Sequence, residues 1–326
     1  MPVRIGFVGA GGIAGTHFDT LSQIEDAQLI AFSDVSAERA QSAARRFEGK
    51  AYTDPRKMLD AETLDAVYVC LPPHAHKDAE ILAAQKGCAI FVEKPLANSI
   101  KTAERIAAAI EDAGVTTSVG YHFRYMDAAE QTRKLLSDKK AAPVAMIYGR
   151  WLGGFPGVPW WRRLDQSGGQ LVEQGTHIID LARYLVGDIK KVYCCAALRE
   201  MHKTFEGTTA PDVTVLTLEF ENGAIGHAAM SSLLGTVSET GLTLMARDTM
   251  YELLGNTLKV RQNGGEEHTY QHGNQPYLDE DRAFINAVKT GKRLNIKSTY
   301  ADALKTLRVT LAANQSAKTG KPVKVG

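Results

Sequence analysis

Through roughly its first 120 residues the chain alternates short apolar runs with stretches whose apolar positions recur at helical spacing, the pattern of parallel strands with covering helices. The runs at 3–8, 28–33, 66–71, 89–92 and 116–120 read as strands, and 13–21, 37–47, 77–86 and 100–113 as the helices among them. Residues 66–71 (Ala-Val-Tyr-Val-Cys-Leu) are apolar almost without interruption, as a strand buried on both faces requires. Beyond Gly120 the rhythm changes. A helix near 126–137 leads to a strand at 144–151, a loop rich in Gly, Pro and Trp covers 153–169, and a helix spans 171–185. Six β-like segments then follow closely, at 192–198, 213–220, 224–233, 242–246, 250–254 and 257–261. With Glu221-Asn222-Gly223 and Asn263-Gly264-Gly265 as turn signals, they predict a largely antiparallel sheet. Helices near 279–290 and 299–316 close the chain. The expected fold class is α/β, with a doubly wound parallel sheet over 1–120. An α+β domain with a large open, mainly antiparallel sheet is expected over 121–326.

Composition narrows the classes without choosing among them. A formal net charge of +1 and a 44% hydrophobic share exclude a polybasic nucleic-acid binder, an acidic tail and a disordered chain. Cys70, Cys88, Cys194 and Cys195 form no Cys-x-x-Cys and no regular spacing, so they read as reduced thiols rather than a disulfide framework. The strand at 3–8 leaves no room for a signal peptide, and no apolar run approaches the roughly 18 residues of a membrane span. The expectation is a soluble, cytoplasmic protein with neither membrane nor nucleic acid as a partner.

Chemistry enters at the first turn. Gly9-Ala10-Gly11-Gly12-Ile13-Ala14 fits G-x-G-x-x-G/A between a strand and a helix, where glycines permit a tight turn and close approach to a pyrophosphate. This marks a dinucleotide-binding Rossmann domain. Asp34, closing the second strand, is placed to accept hydrogen bonds from a ribose and to repel a 2′-phosphate, which favours NAD over NADP. Arg39, five residues on, either reaches such a phosphate or is solvated on its helix.

Two further segments point beyond binding. Glu93-Lys94-Pro95 ends a strand at the carboxyl edge of the parallel sheet, where ligands bind in such folds. A lysine there is either a solvated loop cation or a group that stabilises negative charge developing on a substrate oxygen. In the helix expected at 171–185, Glu173, His177, Asp180 and Tyr184 share one face, opposite Leu171, Ile178, Ala182 and Leu185. That stripe either faces water or lines a site in which a histidine takes a hydroxyl proton with a carboxylate beside it.

The glycine turn, Glu93-Lys94-Pro95 and the Gly-Gly-x-Leu-x-Glu-x-Gly-x-His-x-x-Asp run at 168–180, in this order, resemble the glucose–fructose oxidoreductase / inositol dehydrogenase (Gfo/Idh/MocA) family. The resemblance covers essentially the whole chain. It implies NAD(P)-dependent oxidation or reduction of sugars, polyols and related compounds, and a second domain whose open sheet commonly forms an oligomer interface. By the same resemblance Lys94 and His177 fall on the catalytic Lys and His. Glu173 falls where many members carry Asp, and Asp180 on a common Asp of the same helix. Leu71, Pro72 and His76 match the loop that lies along the cofactor, beside Gly9, Gly11, Gly12, Ile13, Ala14, Asp34, Glu93 and Lys94. Arg124, in the segment that leaves the first domain, either contacts cofactor or substrate or braces the junction.

His74-x-His76 has the look of a metal pair, but no third histidine stands near in sequence and two prolines precede it, so no metal is expected. Trp160-Trp161-Arg162-Arg163 precedes the catalytic segment on a loop. Trp161 and Arg162 suit a sugar-binding wall, through stacking and fork-shaped hydrogen bonding, or else anchor the loop. The reading is reversible hydride transfer between a nicotinamide and a carbon bearing a secondary hydroxyl, with His177 as base, Lys94 on the same oxygen and Glu173 in support. Two alternatives stay open: glycoside cleavage through transient oxidation by a retained NAD, and a catalytically silent NAD-binding regulator. The β-rich domain has too few helices to cover both faces of its sheet, which predicts a homodimer or homotetramer through that sheet.

Overall fold

The computed structural model describes residues 1–271 and 273–326, which divide into two compact units. Met1–His122 with Gln275–Leu304 makes the first, and Phe123–Asn274 with Lys305–Gly326 the second. The chain passes from the first unit to the second after His122 and returns to the first for Gln275–Leu304.

The first unit begins with β1 (Val3–Val8), α1 (Gly12–Leu21), β2 (Ala27–Ser33), α2 (Ala37–Phe47), β3 (Lys50–Tyr52) and α3 (Pro55–Ala61). It continues with β4 (Ala66–Val69), α4 (Ala79–Gln85), β5 (Ala89–Val92), α5 (Ile100–Ala113) and β6 (Thr117–Val119). In the second unit come α6 (Asp127–Leu136), β7 (Val144–Leu152), α7 (Leu164–Ser167), α8 (Gln170–Glu173), α9 (Thr176–Val186), β8 (Ile189–Ala197) and α10 (Met201–Thr204). Strands β9 (Val213–Phe220), β10 (Ile225–Ser231), β11 (Glu239–Ala246), β12 (Thr249–Leu254), β13 (Thr257–Gln262) and β14 (Glu267–Gln271) follow. Helix α11 (Pro276–Thr290) belongs to the first unit, and α12 (Tyr300–Thr319) and β15 (Val323–Lys324) end the chain.

Six strands of the first unit are parallel in the order β3-β2-β1-β4-β5-β6, a doubly wound Rossmann sheet with its switch point between β1 and β4. Every residue of β4 and β5 is buried, which is why both read as unbroken apolar runs. Phe7, Tyr68 and Phe91 stack in a row across β1, β4 and β5, with centroids 4.9 and 4.6 Å apart. Phe284 and Ile285 of α11 complete this core.

The second unit is built on nine strands in the order β14-β13-β12-β11-β7-β10-β9-β8-β15, antiparallel except for the β7–β10 pair. Residues alternate sharply along β9: Thr214, Leu216, Leu218 and Phe220 are buried, whereas Val215 is 52% exposed. The buried face meets α9 so closely that a Cβ on Gly149 of β7 would stand 2.5 Å from Ile178 Cγ2. Val309, Ala312 and Ala313 of α12 join the same core.

Six elements escaped the hydrophobic pattern because they are short or polar. β3 is a three-residue edge strand with no buried position, α3 spans seven residues, α7 and α10 four each, β15 two, and β14 is polar and mostly exposed. The expected continuous helix at 171–185 is instead α8 and α9, broken at Gln174-Gly175. Among the described residues, no helix is long and apolar enough to cross a membrane.

Candidate active site

In the first unit, Gly9 at the end of β1 has φ +96°, and a Cβ there would stand 2.2 Å from the Cys70 carbonyl oxygen. Only glycine lets the two central strands end this close together. Gly11 and Gly12 differ: a Cβ on either would meet nothing within 4 Å. α1 starts at Gly12 with no side-chain cap and no acidic residue in its first turn. Its leading amides and the positive end of its dipole therefore suit a pyrophosphate, while Ala14 is buried against the sheet. Ile13 packs beside the same core.

Asp34 follows β2 and is nearly buried. Its oxygens accept the N–H of Ala10 at 2.9 Å and of Ser36 at 2.8 Å, and Arg39 Nη2 at 2.8 Å. Burial opposes the charge, but the bonds from Arg39, Ala10 and Ser36 hold the carboxyl below its usual range. Arg39, left open by the sequence, thus pairs with Asp34 and stays half exposed.

Glu93 and Lys94 follow β5, and the Lys94–Pro95 peptide is cis. Glu93 is buried, and its Oε2 accepts the Lys94 main-chain N–H at 3.1 Å. Gly120 faces the same carboxylate, and a Cβ there would stand 2.5 Å from Oε1. Leu71 and Pro72 follow β4. His76, expected along the cofactor, is buried, with Nε2 3.1 Å from the Leu71 carbonyl and Nδ1 bonded to Glu80. Since a carbonyl only accepts, Nε2 carries a proton and the ring pins the loop.

In the second unit, β10 packs closely at the break between α8 and α9: a Cβ on Gly175 would stand 2.7 Å from Met230 Cε and 3.1 Å from the Leu171 carbonyl. Glu173 ends α8 and does not share a continuous helical face with His177, as the sequence led us to expect. Nor does the stripe face water: Glu173, His177 and Asp180 are all buried. His177 stacks on Phe123 at 4.8 Å and Trp151 at 5.7 Å, so its ring plane is set by two neighbouring aromatics.

One turn on, Asp180 receives a two-pronged bond from Arg124, with Nε and Nη2 each at 2.7 Å, and the Thr306 hydroxyl at 2.8 Å. All three residues belong to the second unit, so the pair ties the start of that unit to α9 and α12. Tyr184 completes the face, donating to Glu130 at 2.5 Å beneath the Arg124 guanidinium. On the preceding loop, Arg162 lies 3.9 Å from the Phe205 ring centroid. Its carbonyl accepts the N–H groups of Thr209 and Ala210. The Trp161 indole nitrogen is buried with no hydrogen-bond partner among the described residues, a donor that a ligand oxygen could take.

Sequence reasoning overlooked one group entirely. His17, Glu280 and Asp281, all fully buried, gather with Glu93 in the first unit. The signal was present: Asp281 sits at helical spacing between the apolar residues Leu278, Phe284 and Ile285, where a polar residue must have a buried partner.

These features agree with comparisons to known proteins. Residues 3–121 match a model described as an oxidoreductase family with an NAD-binding Rossmann fold, and residues 129–256 match the GFO/IDH/MocA C-terminal domain. The chain belongs to the GFO/IDH/MocA oxidoreductase family. This GFO/IDH/MocA protein is 27% identical to scyllo-inositol 2-dehydrogenase (NAD(+)) of Bacillus subtilis (strain 168), over 99% of this chain and 96% of the relative. It is 25% identical to myo-inositol 2-dehydrogenase of Thermotoga maritima, over 89% of each chain. Levoglucosan dehydrogenase in complex with NADH matches with a TM-score of 0.91 over 100% of both chains at 19% identity, a likeness of fold.

Within this family framework, the Arg124–Asp180 pair is expected to be structural. Removing one partner of a buried ion pair strands the other, so Asp180→Ala should lower stability by about 3–5 kcal/mol. In a denaturant titration, Arg124→Met combined with Asp180→Ala should cost clearly less than the two single changes added.

Proposed function

We propose that the protein is an NAD-dependent dehydrogenase acting on a secondary hydroxyl of a sugar, polyol or sugar derivative, with Lys94 and His177 as its catalytic pair. The observation that carries this reading is the setting of His177. A buried imidazole, packed against the Phe123 and Trp151 rings at the start of α9, is of no use to a scaffold that only binds a dinucleotide. It is what a general base of fixed orientation needs.

When bound, NAD supplies the acceptor for the hydride that leaves the carbinol carbon. Gly9, Gly11, Gly12, Ile13 and Ala14 would hold its pyrophosphate and Asp34 its adenosine ribose, with Leu71, Pro72, Glu93 and Lys94 alongside. His177 takes the hydroxyl proton as the carbon–oxygen double bond forms. Lys94 donates a hydrogen bond to the same oxygen and lowers the cost of negative charge on it. Glu173 supports the charged imidazole. Trp161, through its buried indole N–H, and Arg162, beside Phe205, form a wall that suits a hydroxylated ligand. Arg124 acts through Asp180, holding α9 where His177 is useful.

Lys94→Ala and His177→Ala should each lower kcat by at least about 100-fold in an NADH absorbance assay over a sugar and polyol panel, with NAD affinity retained. Turnover left intact in either variant would remove that residue from the mechanism. The Asp34 carboxylate, already committed to Arg39, supports NAD over NADP. The expected kcat/KM is at least about 10-fold higher with NAD, and Asp34→Ala should narrow that ratio. A native preference for NADP would overturn the assignment.

The outer face of the nine-stranded sheet supports a homo-oligomer. Met146, Tyr193, Val215 and Ile225 lie on it at 37%, 38%, 52% and 56% exposure, on the adjoining strands β7 to β10. Light scattering at micromolar concentration should report a dimer or tetramer, and Val215→Glu with Ile225→Glu should shift it to monomer. A monomeric native protein would contradict the proposal.

A further inference from the structure

Four side chains from distant parts of the sequence meet inside the first unit: His17 from α1, Glu93 after β5, and Glu280 and Asp281 from α11. None is more than 2% exposed. Asp281 accepts from His17 Nδ1 at 2.9 Å, from the Tyr68 hydroxyl at 3.1 Å, and from Thr20. The other ring nitrogen of His17, Nε2, lies 3.1 Å from Glu93 Oε1. Glu93 Oε2 takes the Lys94 N–H at 3.1 Å, while Gly120 closes the opposite side of that carboxylate. The result is a continuous path from α11 to the main chain of Lys94.

The chemistry of the ring decides what this path is. A neutral imidazole has one donor and one acceptor, but both nitrogens of His17 face carboxylate oxygens, and only an imidazolium donates to both. Burial works against that charge, yet Asp281 and Glu93 outweigh it and raise the pKa well above 6.5. Nearby His122 goes the other way. Burial, with Lys94 and His17 adding, pushes it down to about 3, so it does not compete for the carboxylates. Glu280 has no hydrogen-bond partner for either oxygen among the described residues. Burial, then Glu93, drive its pKa well up, and it stands beside the clamp as a neutral acid.

We propose that Asp281, His17 and Glu93 form a charge clamp that positions Lys94: the imidazolium locks the Glu93 carboxylate, and that carboxylate fixes the Lys94 main chain and so the reach of its ammonium group. Lys94 otherwise sits on a loop. Misplacement of a catalytic group by about an ångström costs on the order of 100-fold in rate. The inference rests on the catalytic reading of Lys94 given above.

The test is a cycle of kcat measurements on His17→Gln, Lys94→Ala and the double variant, with NAD affinity and thermal melting followed in parallel. Glutamine carries no charge and puts an acceptor oxygen where one ring N–H stood, so His17→Gln should lower kcat by about 10-fold or more with NAD affinity kept. In the Lys94→Ala background it should change kcat less than about 2-fold, because nothing remains to position. A full, multiplicative loss in the double variant would overturn the clamp while leaving Lys94 catalytic. An active Lys94→Ala would instead overturn the function reading. If His17→Gln does not fold, Asp281→Asn enters the same cycle with the same expectations. Glu280→Gln, a neutral acid exchanged for a neutral amide, should leave activity and melting unchanged. His17, Glu93 and Glu280 also bring ligand atoms within 4.8 Å of one another. Stoichiometric zinc or manganese in the purified protein, lost on Glu280→Gln, would make His17 a metal ligand and overturn the clamp.

Discussion

A charge buried away from water must be paired where it lies, and both units of this protein are organised around that constraint. In the first, an imidazolium at His17 is held between Asp281 and Glu93. In the second, the Arg124 guanidinium is held by both oxygens of Asp180, with Thr306 in support. Each pair ties together segments far apart in sequence. Each also lies one short step from a motif residue, Lys94 in one case and His177 in the other. Buried pairs of this kind add little net stability over apolar packing, but they penalise any arrangement that separates them. That is a useful property beside groups whose positions matter to a fraction of an ångström.

The same economy appears in the glycines. Gly9 is demanded by the Cys70 carbonyl, Gly120 by the Glu93 carboxylate and Gly175 by Met230. Gly11 and Gly12, by contrast, face open space, as a cradle for a large anionic ligand should. One motif therefore contains glycines of two kinds, one serving the protein's own packing and the others leaving room for what it binds.

Much was legible in the chain. The apolar rhythm identified the parallel sheet, and closely spaced β-like segments with Gly-containing turns between them identified a second, mainly antiparallel sheet. Asp34 and Glu93-Lys94-Pro95 could be singled out as candidates because they occupy strand ends, where position follows from local pattern. The short elements β3, α3 and β14 were lost because a few half-exposed residues carry no periodic signal. Gln275–Leu304 joins the first unit although it follows the second in sequence, and nothing local in it says which core its apolar stripe will meet.

The helix at 171–185 shows the boundary between the two kinds of information most clearly. Its apolar and polar positions follow helical spacing, and spacing alone put Glu173, His177 and Asp180 on one face. In the structure that helix is interrupted at Gln174-Gly175, where Met230, from a strand more than fifty residues later, packs against Gly175, and no window of local sequence contains that contact. Residue types and their periods, being local, determined the fold class, the dinucleotide turn and the candidate Lys and His. Which polar residues meet in the interior, His17 with Asp281 or Arg124 with Asp180, was decided only by tertiary packing. The physical reason is that pairing energy depends on distance in space, and sequence separations of 264 and 56 residues carry no information about it.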